Sequence, residues 1–330
     1  MGFLSARGEK KTRQLFIISV SGGESIQITD VASSVNRFDW SPDAMKIAFT
    51  MADPETDDDK KRKKEKRDWK IVDEDYKYNH LYVVSIEEID EPRQLTKGDM
   101  NVGSFDWSPD GAKIVYDHTE IPTANSSSTS NISIVGLASG SSRVIVDWGG
   151  FDASPKFSND GKRIAFVSDG DNPSWGREHY VYTASSSGVR KKKLQPTPSK
   201  YVNAIEGWSP DDSYIIVQEA NKTSRRYFYV PSSVGGSVSA ITIGPGNFSN
   251  LSYNQFGQMV FVHEQLNVPA NVFTTNMGEF KPQRLTNMNP SFENMAHGKT
   301  DIIRWRSTDG LVIEGLLTYP INYRLSLIHI

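Results

Sequence analysis

The stretch FDWSPDGAKIVYD (Phe105 to Asp117) decides the fold, because the chain repeats it. It stands at Phe38 to Thr50 as FDWSPDAMKIAFT, at Ser154 to Asp169 as SPKFSNDGKRIAFVSD, at Ile205 to Gln218 as IEGWSPDDSYIIVQ, and degenerate at Leu251 to Glu264 as LSYNQFGQMVFVHE. From the aromatic at position 40 to those at 107, 157, 208 and 253 the steps are about 67, 50, 51 and 45 residues. Self-similarity at such a period is the mark of a repeat architecture. Each copy reads as a β-hairpin: an apolar strand ends on an aromatic, Ser-Pro-Asp-Gly turns, and a strictly alternating strand follows, as in Lys113, Ile114, Val115 and Tyr116. Proline presets φ at the first turn position, Asp bonds the local backbone, and Gly takes the left-handed position. Ala44 and Asp212 replace that glycine, so those two turns are expected to be strained or differently shaped.

Between the copies lies a second hairpin unit, in QLFIISVSGGESIQIT (Gln14 to Thr29), HLYVVSIEEIDEPRQLT (His80 to Thr96) and four further stretches ending with NVFTTNMGEFKPQRLT (Asn271 to Thr286). Two hairpins per period make four strands in about 50 residues, the content of a β-propeller blade. The expected fold is all-β: about six four-stranded blades over 1–294, the first lacking a strand, with a charged helical insertion at 53–79. Gly2 to Ser5 align with a strand that follows a turn, so the chain is expected to begin inside a blade. In the insertion, Thr56 followed by Asp57, Asp58 and Asp59 suits a helix N-terminus, and Lys60 to Lys64 suit its later turns. Asp57 with Lys61 and Asp59 with Lys63 are spaced for pairing.

Composition bounds the function. There are 37 basic and 40 acidic residues, a net charge of −3, so no whole-molecule field favours nucleic acid or an anionic membrane. The chain has no cysteine, which excludes disulfides, thiolate metal sites and a cysteine nucleophile. No apolar run reaches membrane-spanning length. Compartment stays open between cytoplasm and periplasm.

A serine nucleophile of the elbow type needs G-x-S-x-G, and none occurs in the chain. Ser41, Ser108, Ser158 and Ser209 share one repeat position just before the turn, where a hydroxyl that bonds the turn backbone is expected. His80, His118, His179, His263, His297 and His329 stand singly without ligand spacing, so no metal and no cofactor is expected. The glycine pairs at Gly22, Gly149 and Gly235 read as tight turns, and most aspartates read as turn residues. No catalytic, cofactor-binding or metal-binding residue is therefore assigned.

After Thr286 the pattern changes. Met295 to Arg324, MAHGKTDIIRWRSTDGLVIEGLLTYPINYR, holds one hairpin, with strands around Ile302 to Arg306 and Val312 to Tyr319. WSPDG-type blades followed by Trp305, Ser307, Asp309, Gly310, Ile313, Glu314, Gly315, Leu317 and Pro320 resemble the prolyl oligopeptidase family of serine peptidases, its acylaminoacyl-peptidase and dipeptidyl-peptidase-like branch. The resemblance implies that 295–324 open an α/β-hydrolase domain, that the propeller acts as a size filter, and that peptides are cleaved through an acyl-enzyme by residues further downstream. Peptide substrates would be met by that domain, and the chain alone is expected to be inactive. The dipeptidyl type needs a propeller glutamate pair; Glu87 and Glu88, read as consecutive strand positions, would face opposite ways. Leu325 to Ile330, LSLIHI, match the translation of a sequencing-library adapter, and a non-native tail on a gene fragment is expected. Unpaired blade edges would favour self-association as a homo-oligomer. The second reading is a stand-alone protein-binding propeller of the Tol-system type.

Overall fold

A computed structural model describes residues 1–7, 11–67, 69, 73–87, 89, 91–170, 178–233 and 235–323. Arg324, the tail Leu325 to Ile330 with His329, and Glu88 lie outside the described residues. The chain is all-β, a propeller of six blades. The first blade has three strands within 2–27, and five four-stranded blades follow within 35–94, 101–146, 152–193, 202–240 and 247–284. A two-stranded hairpin, Thr300–Arg306 with Val312–Thr318, comes last. Packing divides the chain into two compact units, Met1–Arg177 with Thr183–Lys192, and Glu178–Tyr182 with Lys193–Ile330.

Within each blade, neighbouring strands are consecutive and antiparallel, as short connections require. The cores lie between successive blades. One joins Leu15 and Ile28 of the first blade to Ile47, Phe49 and Tyr82 of the second. Another joins Leu81 and Val83 to Phe105, Trp107 and Tyr116, and a third joins Ile216 and Tyr227 to Phe248, Met259 and Phe261. A blade packed on both faces has no solvent side. The expected strict alternation of Lys113–Thr119 is therefore corrected: Ile114, Val115 and Tyr116 in succession are fully buried.

The repeated turn behaves as its residues dictate. The hydroxyls of Ser41, Ser108 and Ser158 donate to Asp43, Asp110 and Asp160, and accept the amides of Lys46, Lys113 and Arg163 at 2.9, 2.9 and 3.0 Å. Ser209 bonds Asp211 and the Tyr214 amide in the same way. All four serines are buried. Their hydroxyls hold the partner carboxyls below the ordinary carboxylate range, Asp211 to about 2. Ala44 and Asp212 take the left-handed φ of +58° and +57° that Gly111 and Gly161 take at +66° and +68°. The turn keeps its shape there and carries the strain, on the order of 1 kcal/mol each.

A second stamp was not legible beforehand. The threonine that follows the last strand of a blade accepts an amide of the strand before it: Leu15 to Thr29, Leu81 to Thr96, Tyr227 to Thr242 and Val272 to Thr286, each at 2.9 to 3.0 Å. This ties a two-residue outer strand such as Arg93–Gln94 to its blade.

The insertion leaves the second blade between its second and third strands. Its helix, Asp57–Lys64, starts with a capping box: the Asp59 amide donates to Thr56 Oγ1 at 3.1 Å and the Thr56 amide to Asp59 Oδ2 at 2.7 Å. The anticipated Asp57–Lys61 and Asp59–Lys63 pairs are not those formed. Asp59 is held by the cap, Lys77 and Arg62, while Asp57 pairs with Lys60 and Lys63 reaches Glu55. Lys77 and the cap hold the Asp59 carboxyl far below its usual range.

Candidate functional site

His80 and His118 are buried, with ring nitrogens on Thr96 Oγ1 at 3.3 Å and Ser133 Oγ at 2.8 Å, and burial pushes both below the ordinary imidazole range. His179 stacks on Tyr201 and His263 on Phe248, with ring centroids 4.5 and 4.1 Å apart. Among the described residues no group of three His, Asp or Glu side chains is arranged for a metal. Glu87 is corrected: the strand Asn79–Ser85 ends before it.

Two constellations stand out. The first lies where the opening strands of the second, third and fourth blades approach one another, Val35–Trp40, Asn101–Trp107 and Asp152–Phe157. Lys156 Nζ meets Asp106 Oδ1 at 2.9 Å, and Asp106 Oδ2 accepts the Phe157 amide at 2.8 Å. Burial pushes the Asp106 carboxyl up, against Lys156; burial also lowers Lys156, but Asp106 and Asp39 outweigh it and raise the ammonium. Asp39 is raised by burial as well. Beside this pair, Asp117 accepts the amides of Ser104 at 3.0 Å and Ser154 at 2.9 Å, and the Ser104 hydroxyl. Ser154 sits at a left-handed φ of +53°.

These carboxylates are spent on backbone amides and a lysine of the next blade, so the cluster cross-links blades. Asp39, Asp106, Asp117 and Asp152 are strand residues. One signal was present: the residue before the aromatic is Asp39, Asp106, then Lys156, a change of sign at one repeat position.

Asp152 is fully buried, and burial pushes its pKa up to about 6 against the lowering contacts of Ser168 and the Trp148 backbone. A folded pKa raised above the unfolded value binds extra protons between the two. The cost of ionisation is absent at pH 4, grows as pH rises, and is complete above about 6. Urea unfolding of Asp152→Asn at both pH values should show the variant gaining on the parent by on the order of 2–3 kcal/mol between pH 4 and pH 7. A constant difference would contradict this.

The second constellation is the terminal hairpin. Glu314 accepts the Thr223 hydroxyl at 2.7 Å and Arg304 Nε at 2.8 Å, which hold its carboxyl below the ordinary range. Asn267 Nδ2 donates to the Gly298 carbonyl at 3.1 Å and Thr300 Oγ1 to Asn267 Oδ1 at 3.3 Å. Thr223 and Asn267 are the tight turns between second and third strands of the fifth and sixth blades, so the hairpin is fixed to both. Ser307 and Asp309 repeat the blade-turn contact. Meanwhile Ile302, Ile303, Trp305, Leu311, Val312, Leu316 and Leu317 stay exposed, on both faces of the hairpin.

Repeated blades, cross-linked at their inner strands and carrying a fixed terminal hairpin, define a propeller that resembles those of prolyl oligopeptidase-family peptidases. No family model matches the chain. It is 27% identical over 216 residues to dipeptidyl-peptidase 5 of Porphyromonas gingivalis, covering 63% of this chain and 31% of that protein. It is 29% identical over 150 residues to the peptidase YuxL of Bacillus subtilis, covering 41% of this chain and 22% of the relative. The chain thus spans about a third or less of the curated relatives it matches. Among solved structures, Pyrococcus horikoshii acylaminoacyl peptidase superposes at a TM-score of 0.70 with 13% identity, over 96% of this chain and 47% of that one. The propeller domain of the Trilobed protease from Pyrococcus furiosus gives 0.61 with 14% identity, over 87% and 80%. A TolB from Agrobacterium tumefaciens gives 0.56 with 16% identity, over 90% and 95%. At these identities the structural matches speak for the fold.

Proposed function

We propose that this chain is the substrate-gating propeller part of a serine peptidase that hydrolyses short peptides through an acyl-enzyme. The observation that carries this is the hairpin Thr300–Arg306 with Val312–Thr318. It bears the Trp305 to Pro320 motif, is fixed to two blade turns, and leaves an apolar surface uncovered that a hydrolase domain would bury. A peptidase relative at 27% identity supports the same reading. The nucleophile, base and acid are then expected outside the 330 residues, since no G-x-S-x-G lies within them.

The purified chain should show no labelling by a fluorophosphonate and no hydrolysis of peptide p-nitroanilides. Labelling at any of its serines would overturn the assignment. The TolB match supports the second reading, a protein-binding propeller.

A further inference from the structure

The sixth blade and the segment leading from it line an open surface pocket of about 260 Å³ that neither the fold nor the peptidase reading uses. Its walls include Arg284, Asn287, Asn289, Asn267 and the stacked pair Phe292 and His297, whose ring centroids are 4.9 Å apart. Among the described residues no aspartate or glutamate lines it. Arg284 donates from Nε to the Thr286 carbonyl at 2.6 Å and from Nη2 to Asn287 Oδ1. Both acceptors are neutral, so the guanidinium is aimed without being neutralised, and its remaining Nη–H edge is unspent. Asn287 has its Oδ1 occupied, which leaves its NH2 as a donor beside that edge. The loop carrying them is itself clamped: buried Asn271 accepts Thr286 Oγ1 at 3.2 Å and the Met288 amide at 3.0 Å.

A cation held by neutral groups, with amide donors beside it and no competing acid among the described residues, favours an anion. The planar fork of arginine matches the two oxygens of a carboxylate. The volume lies at the small end for ligand sites, which typically start at about 300 Å³, and suits an amino acid or dipeptide, with the Phe292–His297 stack as a flat wall for the rest of it. We infer that this pocket binds a small carboxylate such as the C-terminus of a short peptide. The inference stands apart from the peptidase reading, because every wall belongs to residues 267–297.

Calorimetric titration of the chain with glycylglycine, glycylglycine amide and inorganic phosphate tests it. The free acid should bind with a Kd on the order of 1 mM, the amide at least about tenfold more weakly, and phosphate no better than the amide. Arg284→Gln should lose the preference for acid over amide, and Arg284→Lys, which keeps the charge but not the fork, should weaken the acid several-fold, with thermal unfolding confirming that both variants fold. Equal binding of acid and amide, tighter binding of phosphate, an unchanged Arg284→Gln, or no binding of the acid up to about 50 mM would each overturn it.

Discussion

Replacing Lys156 by Met should destabilise the chain by about 3–5 kcal/mol at pH 8, the usual cost of breaking a buried ion pair from one side. Lys156 and Asp106 keep only 25% and 17% of their side-chain surface, so water cannot take over the role of the ammonium. Asp106 would be left buried and charged, beside an Asp39 that it already raises. Its carboxyl already lies above the ordinary range through burial. Protonation offers the relief, so the deficit should shrink as pH falls toward 5. Asp106→Asn combined with Lys156→Met should recover much of the loss, because no unpaired charge remains. Equilibrium unfolding in urea at the two pH values reads all three outcomes. A deficit below about 1 kcal/mol at pH 8 would show the pair behaving as a surface salt bridge.

The second large effect is expected at Asp117. Asp117→Ala should cost about 2–4 kcal/mol, since the amides of Ser104 and Ser154 each lose a charged acceptor in a part-buried setting. Ser154 has a further stake in that bond, because its left-handed backbone is held by it. Adding Ser154→Gly to the Asp117→Ala chain should return about 1 kcal/mol, as glycine takes that conformation without penalty. If Ser154→Gly instead weakens the chain further, Asp117 is not what holds the bulge.

The fold was legible because its turns are spelled out locally. Ser108, Asp110 and Gly111 each have a reason to stand in one hairpin turn, and five copies at about 50-residue spacing leave only a repeated sheet unit. The burial of the middle strands was not legible. Ile114, Val115 and Tyr116 are consistent with one buried face or two, and only the packing of blade on blade decides. The Thr29, Thr96, Thr242 and Thr286 contacts escaped for a similar reason: a threonine at the end of a strand is unremarkable until its partner, some fifteen residues earlier, is brought beside it.

The inner-strand cluster was half visible. Asp39, Asp106 and Lys156 occupy one repeat position, but pairing across 50 residues depends on how successive blades meet. Asp152 gave no signal at all, since its anomaly is its complete burial. In the insertion, charge spacing indicated the helix and its start, while capping by Asp59 redirected the pairs that spacing alone had suggested. The hairpin motif from Trp305 to Pro320 was read correctly as a hairpin; what sequence could not show was its attachment through Glu314 and Asn267 to two blade turns.

That attachment carries the central claim, that this propeller serves a hydrolase domain and does not itself perform the chemistry. The most direct measurement is to read the coding DNA at its genomic locus past the codon for Tyr323. The account predicts an open frame that continues into a G-x-S-x-G elbow, followed in order by an aspartate and a histidine. A stop codon shortly after that point, with no such elbow, would contradict it and favour the binding propeller.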